Sequence, residues 1–170
     1  MPKKPKALVV IGSDSDFPVI ENSLNLFDEF GVEYCVTVCS AHRTPERAAE
    51  LAKNAENNGI DVIIAAAGKA AHLPGVLAAY TVLPVIGIPI KSSTMDGIDS
   101  LLSIVQMPSG VPVATVAING SDNAVLLAVQ IMGGTYPELR AKMHEYKRKL
   151  AEAVDKKDKL LQEKLEGKQS

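Results

Sequence analysis

The chain of 170 residues contains no tryptophan, three phenylalanines and four tyrosines. An aromatic content of 4% leaves little to stack on the ring of a carried flavin. Cysteine is as scarce. Cys35 and Cys39 stand four apart in an expected strand, which sets them about 13 Å apart on one face, too far for a disulfide. With no Cys-x-x-Cys pair, small apolar packing is the role expected of both. No set of His, Cys or carboxylates has metal-ligand spacing, so neither a metal nor a metal-based cofactor is expected. The formal net charge of −2 argues against general binding to nucleic acid or to an anionic membrane. No apolar run approaches the roughly 20 residues of a membrane span. The basic start Met1-Pro2-Lys3-Lys4-Pro5-Lys6 precedes only Ala7–Ile11, too short for a signal core, and a cytoplasmic protein is expected. Internal repeats, dividing linkers, a Walker loop and a G-x-G-x-x-G fingerprint are also missing.

What remains is an ordinary globular balance, 46% hydrophobic and 22% charged, in a chain long enough for a sizeable core. Ala7–Ile11 and 61–67 are continuous apolar runs, the pattern of strands buried on both faces of a parallel sheet. Further strands are expected at Glu33–Val38, 83–88 (opened by Pro84) and 113–117. Helical spacing falls between them, from Phe17 to about Phe30, about 44–58, about 99–105 and 122–132. Gly31 and Gly59 supply stops for the first two. Five strand–helix alternations predict a three-layer α/β/α sandwich around a five-stranded parallel sheet. One domain over residues 1–170 is expected, its core at about 7–135. A last helix at about 137–163 carries a narrow apolar stripe of Leu139, Met143, Tyr146, Leu150 and Val154, for which a partner subunit is the expected cover. The charged end, 155–170, is expected to fray.

Three loops at the carboxyl ends of the first three strands hold the polar chemistry, and that edge is where open α/β sheets bind ligands. In Gly12-Ser13-Asp14-Ser15-Asp16, the glycine admits a close backbone approach, and hydroxyls and helix-start N–H groups suit a phosphate. Asp16 could accept ribose hydroxyls. The same residues also suit ordinary N-capping. Ser40-Ala41-His42-Arg43-Thr44-Pro45 presents a hydroxyl, a proton-exchanging imidazole and an anion-gripping guanidinium, with Thr44 as N-cap and Pro45 at the first helical position. A merely solvated Arg43 is the plainer alternative. The third loop holds His72 among small residues, where it serves either a ligand or a structural hydrogen bond. His144, on the charged last helix, is expected to be solvated. A phosphorylated receiver would need an aspartate ending the third strand, which here ends Ala65-Ala66-Ala67-Gly68.

Gly12-Ser13-x-Ser15-Asp16, Ser40-Ala41-His42-Arg43-Thr44-Pro45, Ala70-Ala71-His72-Leu73-Pro74-Gly75 and Ser103-Ile104-Val105-Gln106-Met107-Pro108 occur in the order and spacing of the bacterial PurE-type proteins. The sequence resembles that family over about residues 7 to 155, and specifically its first, mutase class. The second class, which carboxylates aminoimidazole ribonucleotide with CO2, typically has Lys in place of Arg43 and lacks the His-Leu-Pro-Gly loop. The resemblance implies a flavodoxin-like fold and a step of de novo purine synthesis. A carboxylate moves from the exocyclic nitrogen of an aminoimidazole ribonucleotide to ring carbon C4, without ATP, metal or organic cofactor, through a trapped CO2.

By the same resemblance His42 shuttles the proton. Ser13 and Arg43 bind the nucleotide, Ser15 helps at the phosphate and Asp16 at the ribose. Ser40, Ala67, Gly68, His72 and Leu73 line the CO2 pocket. A homo-octamer with sites at subunit contacts is also implied, with 92–94 and 106–110 as loops that cover a neighbour's site. The sequence departs from the family at Lys69, where glycine is usual. If glycine is usual there because the turn needs φ > 0, Lys69 would be strained by about 1 kcal/mol or more. A permissive backbone with Lys69 facing solvent or a neighbouring subunit is expected instead, and a cation near the substrate carboxylate is the functional alternative. Direct carboxylation of aminoimidazole ribonucleotide, and nucleotide binding without catalysis, are the competing functions.

Overall fold

Continuous apolar runs pair side by side because a strand flanked by helices on both faces has no polar face to show. The computed structural model describes residues 3–167, and in it β1 (Lys6–Ile11), β2 (Glu33–Val38), β3 (Val62–Gly68), β4 (Val85–Ile90) and β5 (Ala114–Thr115) form one parallel sheet in the order β2-β1-β3-β4-β5. That is the expected five-stranded sheet. The helices are α1 (Phe17–Ile20), α2 (Leu24–Phe30), α3 (Pro45–Ala55), α4 (Leu73–Tyr80), α5 (Ile98–Val105), α6 (Ser121–Met132) and α7 (Pro137–Glu166).

Alternate residues of each strand feed two separate cores. Val9, Ile11, Ile64 and Ile86 pack against Phe27 of α2 and Ala128 and Val129 of α6. Leu8, Val10, Ile63 and Ala65 pack against Ala48 and Ala52 of α3, Leu77 of α4 and Ile104 of α5. Each fully buried Val, Leu, Ile or Phe among them contributes about 1.5–3 kcal/mol through lost water contact. Small residues set the spacing on the second face, where α3 meets the sheet through Ala48, Ala52 and Ala55 at helical intervals.

Several boundaries differ from expectation. The first helix breaks after Ile20, where the ladder tightens to three-residue bonds such as Ser23 N–H to the Ile20 carbonyl. Ser23, 2% exposed, gives its hydroxyl to Asp122 Oδ1 of α6 at 2.5 Å. Thr44 stands at the N-cap of α3 without capping it, because its hydroxyl turns back to the Ser40 carbonyl (2.9 Å). Pro84 lies before β4, and the strand runs on through Pro89. Proline is tolerated there because β5 pairs only with Ile86 and Gly87. For the same reason β5 has two residues, not five. Cys39 is buried as expected, but Cys35 is exposed on β2, an edge strand.

The stripe on α7 divides. Leu139 and Met143 are buried in the chain's own first core and Tyr146 packs against it, while Leu150 and Val154 are exposed. The helix does not fray within the described residues. It runs to Glu166 and adds exposed Leu160, Leu161 and Leu165. The remainder of the predicted charged end, 168–170, lies outside the described residues.

Candidate active site

In the order 2-1-3 the chain leaves β1 in one direction and returns for β3 on its other side, which opens a crevice beyond the carboxyl ends of both strands. Three loops close on that crevice. The first leaves β1 at Gly12, whose N–H bonds the Ala66 carbonyl at 2.9 Å. It then turns through a short 3-10 helix, Asp14–Asp16, capped by Ser13 Oγ, which accepts from Ser15 N–H (3.3 Å). Ser15 Oγ donates to Ser13 Oγ at 2.9 Å, so the two hydroxyls sit as a pair. Burial pushes the Asp16 carboxyl above the usual Asp range, and Ser13 and Ser15 pull it partly back.

The second loop follows β2 and is tied to the first by Arg43. Its Nη2 donates to the Gly12 carbonyl and its Nε to Ser40 Oγ, both at 3.3 Å. Both acceptors are neutral, so the guanidinium keeps its full charge for an anion. The third loop follows β3. Lys69 adopts φ +56°, the left-handed region, where a Cβ costs roughly 1–2 kcal/mol. The permissive backbone expected at this position is therefore not found. Successive N–H bonds from Ala71 to the Lys69 carbonyl and from His72 to the Ala70 carbonyl, both 2.8 Å, tighten the turn. His72 thereby becomes the N-cap residue of α4, beside Leu73 and Pro74. Met107, from the fourth motif, reaches over Gly75, where an added Cβ would lie 2.9 Å from its Cε and make that side chain shift.

Across the crevice the two histidines meet. His42 Nε2 lies 2.7 Å from His72 Nδ1, with the rings at 74° and their centroids 4.9 Å apart. All ten residues singled out from the sequence (Ser13, Ser15, Asp16, Ser40, His42, Arg43, Ala67, Gly68, His72 and Leu73) line one cavity of about 630 Å³. That volume suits a small-molecule ligand. Lys69 is in its wall too. So are Lys91, Ser92 and Ser93, of which Ser92 and Ser93 belong to the loop 92–94 expected to cover a neighbour's site. Their signal was position, since they directly follow the carboxyl end of β4. Lys91 Nζ pairs with Asp96 at 3.2 Å. Ser92 Oγ donates to Asp99 at 2.8 Å. Among the described residues no three metal-ligating side chains form a cluster, and no helix is long and apolar enough to cross a membrane.

Residues 6–153 match the family model described as AIR carboxylase. The chain belongs to the AIR carboxylase family. The matched span contains every residue of the cavity wall and ends within α7. Within the AIR carboxylase family, the N5-carboxyaminoimidazole ribonucleotide mutase of Pyrococcus horikoshii is 57% identical over 161 residues, 95% of this chain and 91% of its own length. The protein of that name from Thermotoga maritima is 55% identical over 159 residues, 94% of this chain and 93% of its own. The crystal structure of Treponema denticola PurE superimposes with a TM-score of 0.81 at 28% identity, over 91% of this chain and 97% of that one.

Proposed function

We propose that this chain is an N5-carboxyaminoimidazole ribonucleotide mutase, an isomerase of purine biosynthesis that moves a carboxylate from the exocyclic nitrogen to C4 of the imidazole. One observation carries the reading. In a chain so similar to proteins of that name, a single cavity at the β1/β3 crevice gathers a proton-exchanging histidine, an uncompensated arginine and a paired-serine loop. In this reading Arg43 and the Ser13–Ser15 pair grip the phosphate, and Asp16 accepts the ribose hydroxyls. Ser40, Ala67, Gly68, His72 and Leu73 form the small compartment for CO2. Ala67 and Leu73 are 6% and 2% exposed, so its floor is apolar and packed.

The chemistry divides into two half-steps. His42 gives a proton to the exocyclic nitrogen as its bond to the carboxyl carbon breaks. The bond pair stays on nitrogen, and neutral CO2 remains. Held beside the ring instead of lost to water, CO2 is attacked by C4 at an effective concentration that free solution cannot match. The C4 proton then passes to His42, whose protonation state is restored. No ATP, metal or organic cofactor enters this sequence. The protein is proposed to act in the cytoplasm, where charged nucleotides are made. A homo-octamer is proposed as its assembly, with α7 contributing the unpaired apolar stripe of Leu150, Val154 and Leu161.

Direct carboxylation of aminoimidazole ribonucleotide is the second reading, favoured by the description of the family model itself. The N-carboxylated nucleotide, supplied without ATP or added bicarbonate, is the test. Rapid ultraviolet conversion to the C4 isomer by wild type, and none by His42→Asn, is expected. Inertness with that nucleotide but turnover of aminoimidazole ribonucleotide and CO2 would select the second reading. Binding without turnover of either would leave a non-catalytic nucleotide module.

A further inference from the structure

Two ring nitrogens 2.7 Å apart must share one hydrogen. Two hydrogens would collide, and none would set lone pair against lone pair. Neither His42 Nδ1 nor His72 Nε2 bonds another described residue, so the shared hydrogen is what fixes both rings. The backbone holds them in place from either side. His42 sits in the loop tied by Arg43 to Gly12, and His72 at the tight start of α4, its carbonyl accepting from Val76 N–H at 2.9 Å.

The direction of the bond follows from the chemistry asked of His42. If His72 donated, His42 Nε2 would be occupied as an acceptor and neutral His42 would carry its hydrogen on Nδ1. It would then have no free lone pair and could not act as a base. If His42 donates from Nε2, its Nδ1 is free to take and return a proton.

We propose that His72 is a positioning residue for His42, its Nδ1 accepting the His42 Nε2–H throughout the cycle, so that His42 Nδ1 is the nitrogen that exchanges protons with substrate. This rests on the mutase reading. In the acid state His42 carries both hydrogens and a positive charge. Nδ1–H goes to the exocyclic nitrogen as CO2 departs, leaving His42 neutral with Nε2–H still on His72. After C4 bonds to the CO2 carbon, the C4–H pair returns to the ring and the proton to Nδ1. The pair ends with the hydrogens it started with.

Asparagine at 72 can offer an amide oxygen near the place of Nδ1, whereas alanine offers nothing. His72→Ala is expected to lower kcat about 10- to 100-fold with KM nearly unchanged, a smaller loss than removal of the proton-transfer group itself. His72→Asn should recover most of that loss. Imidazole nitrogen NMR of the free wild-type protein should find His72 as the Nε2–H tautomer, with spin coupling to His42 across the hydrogen bond. Wild-type kcat in His72→Ala, a change confined to KM, no rescue by asparagine, or an Nδ1–H tautomer at His72 would each overturn the proposal. If wild type does not isomerise the nucleotide, the mutase reading fails, while the tautomer measurement still decides the pairing.

Discussion

Tyr136 Oη donates to the Asp61 carboxylate, 3.2 Å from Oδ2 and 3.3 Å from Oδ1, and so joins the residue before α7 to the residue before β3. Lys6 N–H reaches the same carboxylate at 3.0 Å and Lys3 Nζ at 2.6 Å. Tyr136 is buried, so loss of its hydroxyl strips a charged acceptor of one donor. Tyr136→Phe should cost about 1–2 kcal/mol in denaturant unfolding. The phenol is held above its ordinary range, first by burial and then by the Asp61 charge. Its stabilisation is therefore complete below about pH 10 and lost as pH rises through the folded-state value. The gap between wild type and Tyr136→Phe should shrink there.

Gly87 lies in β4, where a Cβ would collide with Ile104 Cγ2 and stand 3.1 Å from Val113 Cγ1. Ile104 is fully buried and has nowhere to move. Gly87→Ala should destabilise by about 1–3 kcal/mol, read as a lower Tm with the cavity chemistry intact in the folded fraction.

Asp16 trades stability for binding. Its raised carboxyl means that the folded state resists the charge, so its contribution to stability is most favourable below the ordinary Asp value and falls as pH rises through the folded value. Asp16→Asn should therefore gain stability over wild type at neutral pH and not at acid pH. If Asp16 holds the ribose, the same variant should raise KM by about tenfold or more, since a charged acceptor is worth about 1.5–3 kcal/mol. An unchanged KM would remove it from the site.

Lys69 carries the same trade on the backbone. Lys69→Gly relieves a left-handed Cβ worth roughly 1–2 kcal/mol, and the flexible unfolded glycine takes back about half of that. A net gain of about 0.5–1 kcal/mol in thermal or denaturant unfolding is expected. Lys69 lines the cavity without an ion-pair partner among the described residues, so its loss should raise KM for an anionic nucleotide about fivefold. Unchanged affinity would assign its ammonium to solvent.

The sheet and the three loops were legible because both follow from local chemistry. Val9, Val10 and Ile11 stand in a short β-branched apolar run that favours a strand buried on two faces, and Pro45 after Thr44 favours a helix start. What was hidden depends on contacts distant in sequence. Ser23, at the break in the first helix, bonds Asp122, 99 residues on. His42 and His72 were both singled out, but their 2.7 Å contact joins loops whose approach the sheet order sets. The positive φ of Lys69 was legible only as an alternative, from the glycine usual at that position, because lysine itself gives no local sign that a turn demands it. The stripe on α7 has one period throughout, and only the position of the core shows that it stops being covered after Tyr146.

Retention of the carboxyl carbon tests the mechanism most directly. N-carboxylated nucleotide labelled in its carboxylate would be turned over by wild type in a large excess of unlabelled bicarbonate, and the C4-carboxylated product analysed by mass. Trapping within the cavity predicts that the product keeps the label. A product carrying unlabelled carbon would show that CO2 comes from solution, and the protein would then be a carboxylase.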